Sequence, residues 1–358
     1  MKSKYSIILL TIIITLALFF SFKQYILTED LPYDDEQEGL NDQIVLTFSH
    51  VVSNNTPKGM AADKFAEIVA EKSDGNIKIV VFSNGSLYSD IEEIRAVQEG
   101  NVDIIAPSTS KLGMLNPAWG VLDLPFIFPS YEAINEGLDG FIGQTLLSSV
   151  KGDGLIGLAH WSNGFKQFTS NDGPIIYPQD IAGQTFRIMQ SDVLSSQFLE
   201  LNANSVKESF NSTYDLLDSG KVDGEENTIS NIYSKKFYNL QKYMTISNHG
   251  YLGYAVLMNE NVWNKQSSET KRILTEAMSE VTQWNRKQAA QMNENQLEEI
   301  RKVSSIHIHE LTNEEKNSWK KVLDPVYTQF KNEIGSTLID KALKLRDKYE
   351  NETTDETD

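Results

Sequence analysis

Residues 44–82 decide the fold, and they read IVLTFSHVVSNNTPKGMAADKFAEIVAEKSDGNIKIVVF. The first run, Ile44-Val-Leu-Thr-Phe48, is rich in β-branched and aromatic residues and predicts a short strand. Apolar residues then recur at helical spacing between Pro57 and Glu71, and Ile77-Lys-Ile-Val-Val-Phe82 predicts a second strand. A strand, a helix and a strand in this order are typical of an α/β fold with a parallel-rich sheet.

The same alternation continues along the chain and occurs again in the second half. The patterns predict strands at 102–106, 155–159 and 185–188, and helices at 90–99, at 192–201 and around 212–217. A chain of 358 residues is too long for one simple core and has the length of two ordinary domains. Two lobes of similar architecture are therefore expected.

One segment predicts an unusually long helix. From Ser267 to about Val303 there is no Pro or Gly, and apolar residues recur at helical spacing, with Ser267 or Ser268 placed to cap the first turn. At about 1.5 Å per residue, such a helix would span roughly 50 Å. This length exceeds one lobe, so the helix is expected to brace both lobes. Two helices broken near Asn293 are the alternative.

The N-terminus predicts export from the cytoplasm. Residues Tyr5 to Phe22 are apolar or hydroxylated, and Lys2, Lys4 and Lys23 flank them, which is typical of a segment that crosses a bilayer. No small-x-small cleavage site follows, which favours an uncleaved anchor over a signal peptide. The leading lysines place the short N-terminus in the cytoplasm and everything after Lys23 outside the cell membrane.

Composition excludes several function classes. The chain has no cysteine, which excludes disulfides, thiolate metal sites, a catalytic thiol and a lipid-modified cysteine. The net charge of −18 includes seven acidic residues between Glu29 and Asp42 and five between Glu350 and Asp358, which are typical of solvated tails. No basic stripe is present, which argues against nucleic acid as a partner. A small anion needs only a local positive pocket.

Ligands of α/β sheets bind beyond the carboxyl ends of the strands, so the segments after Ala106, Ala159 and Ile188 are candidate binding loops. Arg187 stands in an otherwise apolar stretch, where an unpaired guanidinium is costly to bury. Its partner is either an internal Asp or Glu or a ligand carboxylate, and the pattern leaves both open. A guanidinium would hold a carboxylate with two parallel hydrogen bonds.

Other polar features are less specific. Residues 220–227 are interpreted either as an exposed turn or as part of a site, and His50 and His249 are isolated histidines of the kind that satisfy local hydrogen bonds. The acidic residues around Asp35 lack the spacing of a calcium loop, so no metal site is predicted. The G-x-S-x-G, P-loop and H-E-x-x-H motifs are absent, which favours binding over catalysis and predicts no catalytic residues and no cofactor.

From about residue 44 to residue 345 the chain resembles the C4-dicarboxylate-binding, DctP-type proteins that serve TRAP transporters. Each motif alone is weak, but the order of all of them is specific. The segments that carry the resemblance are Leu87-Tyr-Ser-Asp-Ile-Glu-Glu93, Ala106-Pro-Ser108, Trp161-Ser-Asn-Gly-Phe-Lys166, Asp180-Ile-Ala-Gly183 with Arg187-Ile188, Val222-Asp-Gly-Glu-Glu-Asn227 and Ser247-Asn-His-Gly-Tyr-Leu-Gly-Tyr254.

This resemblance implies a periplasmic-binding-protein-like fold of type II, with two α/β lobes, mixed parallel-rich sheets, an interlobe cleft and a long helix spanning both lobes. It implies that Arg187 forms a salt bridge with a ligand carboxylate, that Asn227 hydrogen-bonds the same carboxylate, and that Lys166 contacts the second carboxylate or its neighbour. Supporting positions that match cleft-facing ones are Tyr88, Ser108, Asn163, Gln190, Ser191, Tyr214 and His249. The chain departs from the pattern at Thr228, where Pro is common, and at Asn202-Ala-Asn204, where Gly-Ala is usual.

The expected organisation follows from these matches. Residues 1–27 would be the signal or anchor helix, 28–42 an acidic linker, 43–164 with 253–292 lobe I, 165–252 with 293–349 lobe II, and 350–358 an acidic tail. The expected function is capture of succinate, fumarate or malate for TRAP-type transport, with TRAP permease subunits as partners. Presentation of the ligand to a membrane sensor kinase is the alternative, and a carboxylate hydrolase is a remote one.

Overall fold

The computed structural model describes residues 43–355, and side chains through residue 351. The predicted alternation of strands and helices is confirmed over this range. The described strands are β1 (Ile44–Ser49), β2 (Ile77–Phe82), β3 (Ile104–Ile105), β4 (Leu155–Ser170), β5 (Thr185–Ile188), β6 (Asn204–Lys207), β7 (Gly224–Thr228), β8 (Tyr243–Asn259) and β9 (His307–Glu310).

The helices fill the connections between the strands and form the C-terminal end of the described chain. They are α1 (Pro57–Lys72), α2 (Glu93–Gln98), α3 (Tyr131–Asp139), α4 (Phe141–Ser149), α5 (Asp192–Glu200), α6 (Thr213–Asp218), α7 (Ile229–Ser234), α8 (Glu260–Lys265), α9 (Ser268–Val303), α10 (Asn313–Gln329), α11 (Lys331–Ile334) and α12 (Ser336–Asp355). Short 3-10 turns occupy Thr109–Met114, Pro117–Asp123, Val150–Asp153, Pro178–Ile181 and Phe237–Asn239.

All described strands join one mixed sheet in the order β2-β1-β3-β8-β4-β7-β5-β6, with β9 beside β8. Strand β1 runs parallel to β2 and β3, and β5 runs parallel to β6 and β7. The long strands β4 and β8 lie antiparallel between these two parallel groups. The loops after β1, β3 and β5 therefore follow the carboxyl ends of parallel strands, where α/β sheets bind their ligands.

Strand β4 corrects one expectation. The sequence predicted a loop after Ala159, but the strand continues to Ser170, and every residue from Ala159 to Ser170 is buried. A strand that is buried on both faces does not show the alternation of apolar and polar residues that sequence patterns detect. The polar residues that indicated a loop are held inside the sheet by hydrogen bonds, such as the one that the backbone amide of Ser162 donates to Asn285.

The pairing of β4 with β8 shifts register between Gly157 and Ala159, between Ser162 and Gly164, and between Lys166 and Phe168. Bulges of this kind bend a strand and raise its local twist. Gly164 has φ 146°, and a Cβ at this position would come within 2.8 Å of the Asn293 amide nitrogen. The middle bulge therefore requires glycine for both conformation and space.

The long helix is confirmed. Helix α9 runs unbroken through 36 residues, and the Ser267 hydroxyl caps it by accepting a hydrogen bond of 3.0 Å from the Thr270 amide. Two buried asparagines of α9, Asn285 and Asn293, bond to the backbone of β4 at Ser162 and Asn163. These bonds fix the helix across the central strands.

Three clusters of buried apolar side chains form the core. One of them combines residues between Ile94 and Leu155 with the run from Val326 to Leu345. The predicted division assigns residues 293–349 to lobe II, and this division remains a prediction. Within residues 43–355, no helix is both long and apolar enough to cross a membrane. The predicted anchor at 1–27 and linker at 28–42 lie outside the described residues, as do residues 356–358 of the predicted acidic tail, whereas residues 350–355 continue helix α12.

Candidate functional site

A small cavity lined by both charged and apolar side chains lies beyond the carboxyl ends of β1, β3 and β5. It contains about 360 Å³ of space between atoms, a volume that includes open solvent. Two of the three segments predicted to carry the site, those after Ala106 and Ile188, contribute to it. The lining residues are Val51, Val52, Lys58, Asp90, Glu93, Ser108, Lys111, Arg187, Met189, Phe210, Asn227, Asn231, Leu252 and Tyr254.

Arg187 is the buried cation that β5 places at this cavity, with only 1% of its surface exposed. Its Nε and Nη2 donate hydrogen bonds of 3.0 and 2.7 Å to the backbone carbonyl of Glu208. Burial is the main influence on the pKa of Arg187 and lowers it, although nearby acids, Asp90 first, act in the opposite direction. No carboxylate of the described chain lies within 4.0 Å of the guanidinium. The internal partner that the sequence left open is therefore missing from this part of the chain.

Asn227 reaches the cavity from β7, next to the strand that carries Arg187. Its Nδ2 donates to Glu225 at 3.1 Å, and its Oδ1 accepts from the Thr228 amide and from the Asn231 side chain. Burial raises the pKa of Glu225 to about 7, while the bond from Asn227 and the charge of Arg187 lower it. Asn227 is thus held in one orientation by bonds on both sides of its amide.

Lys111 and Asp90 form a buried ion pair at the cavity wall, with 4% and 3% of their side chains exposed. The ammonium also donates to the Asp90 backbone carbonyl at 2.7 Å. One carboxylate oxygen of Asp90, Oδ2, accepts both the Lys111 ammonium and the Phe210 amide, the latter at 3.0 Å. Asp90 therefore joins the loop before α2 to the segment that follows β6.

Lys58 lines the cavity from the first turn of α1 and is 1% exposed. Its Nζ donates to the Ala106 carbonyl at 2.8 Å and lies 3.9 Å from the centre of the Tyr254 ring. Glu93 also lines the cavity, is fully buried, and has no hydrogen-bond partner on either carboxylate oxygen. Sequence reasoning missed both residues. A signal existed for Lys58, because a cation in the first helical turn opposes the helix dipole.

Lys166 lies outside the lining of this cavity. Its Nζ bonds to both carboxylate oxygens of Glu226 at 2.8 Å, and both residues are 1% exposed. His249 completes the cluster: Nε2 lies 2.9 Å from Glu226 and Nδ1 lies 2.7 Å from the Ser247 hydroxyl. Burial alone would raise the pKa of Glu226, but Lys166 and the His249 bond outweigh it and hold this pKa at about 2. The second predicted cation thus has an internal carboxylate partner.

The supporting positions divide into four groups. Ser108 lines the cavity, and its hydroxyl has no partner. Asn163 does not line the cavity, but it donates a hydrogen bond of 2.9 Å to the hydroxyl of Tyr254, which does. Gln190 and Ser191 line a separate groove with Ser110, Asp192 and Lys207. Tyr88, Tyr214 and His249 are not in the lining, and Tyr214 is 41% exposed.

Residues 220–227 are not an exposed turn throughout. Gly224 to Thr228 form the buried strand β7, which supplies Asn227. Among the side chains described through residue 351, no group of three or more His, Cys, Asp or Glu residues could hold a metal ion. The acidic run around Asp35 lies outside the described residues.

The chain belongs to a known family of binding proteins. Residues 48–333 match the family described as bacterial extracellular solute-binding protein, family 7. The fold is the two-lobed type II fold of the TRAP periplasmic binding proteins.

Individual relatives are close over nearly the full length. The chain is 61% identical to the C4-dicarboxylate-binding protein DctB of Bacillus subtilis, over 93% of this chain and 95% of the relative. A TRAP periplasmic solute-binding protein of Sulfurospirillum deleyianum, solved with bound succinate, superposes with a TM-score of 0.81 at 43% identity, covering 84% of this chain and 98% of that protein. Its counterpart from Shewanella oneidensis, also with bound succinate, gives a TM-score of 0.83 at 36% identity, covering 85% and 99%.

Proposed function

We propose that this protein captures a C4-dicarboxylate such as succinate, fumarate or malate outside the cytoplasm and delivers it to a TRAP permease. One observation carries the proposal: Arg187 is buried at a small cavity, and no carboxylate of the described chain lies within ion-pair distance of it. A desolvated guanidinium without a direct ion pair is costly, and a ligand carboxylate would supply that pair. The relatives with bound succinate support the same ligand class.

In this proposal Arg187 holds one carboxylate, and Asn227 donates a hydrogen bond to the same group. The two Glu208 bonds leave one side of the guanidinium for the ligand, and charge-assisted bonds to a planar carboxylate are strong and directional. Asn227 keeps one Nδ2 hydrogen for the ligand, because Glu225 accepts only one bond from it. The unpartnered Ser108 hydroxyl is a further donor.

Binding without catalysis is favoured by the position of the residues that resemble a hydrolytic triad. His249 lies within hydrogen-bond distance of both Ser247 and Glu226, yet Ser247, His249 and Glu226 are 0%, 2% and 1% exposed and none lines the cavity. A nucleophile must reach the substrate. An assay of carboxylate-ester turnover should therefore give no activity above the rate without protein.

Membrane attachment is proposed from the sequence alone. The apolar residues Tyr5 to Phe22 follow Lys2 and Lys4, and no small-x-small site follows them, which supports an uncleaved anchor with the binding domain outside. The protein should then remain in washed membranes, and its recovery from the culture medium would contradict the anchor. A TRAP permease is the proposed partner in preference to a sensor kinase, because the similar solved structures are TRAP periplasmic solute-binding proteins.

Replacement of Arg187 tests the proposed function. We expect the full-length wild-type protein to bind succinate in calorimetry and Arg187→Met to lose at least ~30-fold in affinity, because one partner of a buried charge pair is removed. Arg187 forms no ion pair with the described chain, so methionine leaves no carboxylate without its partner and the variant should stay folded. Arg301→Met, on the exposed face of α9, is the matched control. Near-normal affinity of Arg187→Met, or no succinate binding by the wild type, would contradict the proposal.

A further inference from the structure

The cavity contains two cations that have no carboxylate partner. Three cationic residues line it: Lys58, Lys111 and Arg187. Lys111 is paired with Asp90, whereas neither Lys58 nor Arg187 has a carboxylate within 4.0 Å among the described residues. Lys166, the second cation that the sequence suggested, is paired with Glu226 outside the lining. A ligand with two carboxylates would therefore find, for each of them, one cation that has no direct ion pair.

The local structure of Lys58 holds its ammonium at the cavity. The Ala106 carbonyl accepts one of its three hydrogens, and the Tyr254 ring covers another side at 3.9 Å. These two contacts fix the position of the charge without neutralising it. The third hydrogen remains available for a ligand oxygen. Lys111 differs, because the Asp90 carboxylate and carbonyl take up its charge and its hydrogens.

Glu93 is an acidic residue in the same lining as the Lys58 and Arg187 cations. It is fully buried in the lining, and both carboxylate oxygens lack a partner. An ionised Glu93 would repel an incoming carboxylate, whereas a protonated Glu93 would become a hydrogen-bond donor toward it. With Asp90 paired and Glu93 protonated, the lining keeps two uncompensated positive charges, which match a dianion.

The groups that face Glu93 and Lys58 come from each neighbouring element. Burial is the main cause that raises the pKa of Glu93 to about 7; Lys58 and Lys111 lower it, and Asp90 raises it. Burial likewise lowers the pKa of Lys58 to about 8, with Glu93 and Asp90 acting upward and Lys111 downward. Burial raises the pKa of Tyr254 and lowers that of His50 to about 3, so both rings are neutral near pH 7.

We infer that the cavity has a second anion subsite, formed by the Lys58 ammonium together with a Glu93 carboxyl that takes up a proton from solvent, and that this subsite holds the distal carboxylate of the ligand. The inference rests on the proposed function and adds the residues that distinguish dicarboxylates from monocarboxylates. The ligand carboxylate bonds the third hydrogen of Lys58. The protonated Glu93 donates to the same group.

Lys58→Met tests the subsite against a matched ligand pair. Succinate and succinamate have the same length, and the second replaces one carboxylate by a neutral amide. By calorimetry on the full-length protein, we expect the wild type to prefer succinate by ~10- to 100-fold and Lys58→Met to bind both within ~3-fold of each other. Lys64→Met, on the exposed face of the same helix, should keep the wild-type ratio.

Three outcomes would overturn the inference while leaving the proposed function intact. Lys58→Met could keep the wild-type preference for succinate over succinamate, or it could lose affinity for both ligands equally. The third is a wild type that binds succinate through Arg187 but does not prefer it to succinamate. Loss of succinate binding by the wild type would instead remove the proposed function. Because Lys58→Met could fail to fold, Lys58→Gln is the second variant, with the same expected ratio.

Proton uptake provides an independent measurement on the wild type. At pH 7.5 a Glu93 with a pKa of about 7 is mostly ionised before binding and becomes protonated beside the ligand, so titrations in buffers of different ionisation enthalpy should show uptake of roughly half a proton or more. Succinate affinity should accordingly fall as the pH rises from 7 to 8. Glu93→Gln should remove most of the uptake and flatten this dependence. Uptake that is equal in Glu93→Gln and wild type would exclude Glu93 from the subsite.

Discussion

Lys166 illustrates how a buried cation can resemble a ligand contact in sequence and serve the fold instead. Its ammonium makes two bonds of 2.8 Å to Glu226, which also bonds His249, and Phe168 stacks on the His249 ring at 3.8 Å. Removing one partner of such a pair leaves an uncompensated buried charge. The cluster is thus expected to stabilise β4, β7 and β8 against one another.

We predict that Lys166→Met lowers the free energy of unfolding by about 3–5 kcal/mol in urea denaturation, because Glu226 loses its main counterion. The double variant Lys166→Met with Glu226→Gln should lose clearly less than the sum of the single losses, since no charge is then left unpaired. Lys242→Met, at an exposed position, is the control. Additive losses would show that the two residues contribute independently.

At this scale the sequence predicted which residues are buried and polar better than it predicted their partners. Arg187, Asn227 and Ser108 were identified and do line one cavity, because the match to family motifs fixes positions in the chain. Glu93 was missed because its significance depends on the absence of partners, which only tertiary contacts reveal. Lys58 was missed although its place in the first turn of a helix was a signal. The binding role of each of these residues remains a prediction.

At the scale of elements, α9 connects the parts of the chain that carry the cavity. The Asn285 side chain accepts from the Ser162 amide at 2.6 Å and donates to the carbonyls of Ser162 and Pro57, both at 3.2 Å. Pro57 begins α1, the helix that carries Lys58. Asn293 accepts from the Ser230 amide in α7, the helix that follows Asn227. The buried side-chain amides of Asn285 and Asn293 therefore connect α9 to α1, which carries Lys58, and to α7, which follows Asn227.

We predict that Asn285→Ala lowers the free energy of unfolding by about 2–4 kcal/mol, because the buried Ser162 amide and two carbonyls lose their partner. Urea denaturation measures the loss. Asn295→Ala, on the exposed face of the same helix, should change stability by less than ~0.5 kcal/mol. Equal effects of the two substitutions would mean that the buried amide contributes no more than helix propensity.

Elements with strong periodicity were predicted well, and the central strands were not. Strand β2 and helix α9 were predicted nearly residue for residue, since their apolar spacing is regular and capping or turn residues bound them. Strands β4 and β7 were interpreted as loop or turn in part, because their polar residues are buried and bonded within the sheet. Polar composition indicates exposure only when tertiary hydrogen bonds are absent.

At the scale of the whole molecule, buried titratable groups couple stability to pH in opposite directions. Burial raises the pKa of both Glu93 and Glu225 to about 7, so between pH 4.5 and 7 the folded state binds more protons than the unfolded state. The contribution of these two groups to the free energy of unfolding therefore falls as the pH rises through this range. His50 and His160, whose pKa burial lowers to about 3 and about 4, act in the opposite sense below pH 6.5. Single variants are needed to separate these contributions.

His160 offers the clearest separation. It is 3% exposed, Nε2 lies 3.1 Å from the Gly143 carbonyl and Nδ1 has no partner, so the folded protein resists its protonation. Because the unfolded chain takes up this proton below pH 6.5 and the folded chain only below about 4, the wild type should lose on the order of 3 kcal/mol more than His160→Gln between pH 7 and pH 4. Urea denaturation at both pH values measures the difference. His307→Gln, at an exposed position, is the control. If the difference in unfolding free energy between wild type and His160→Gln were the same at pH 7 and pH 4, the buried ring would be protonated without penalty.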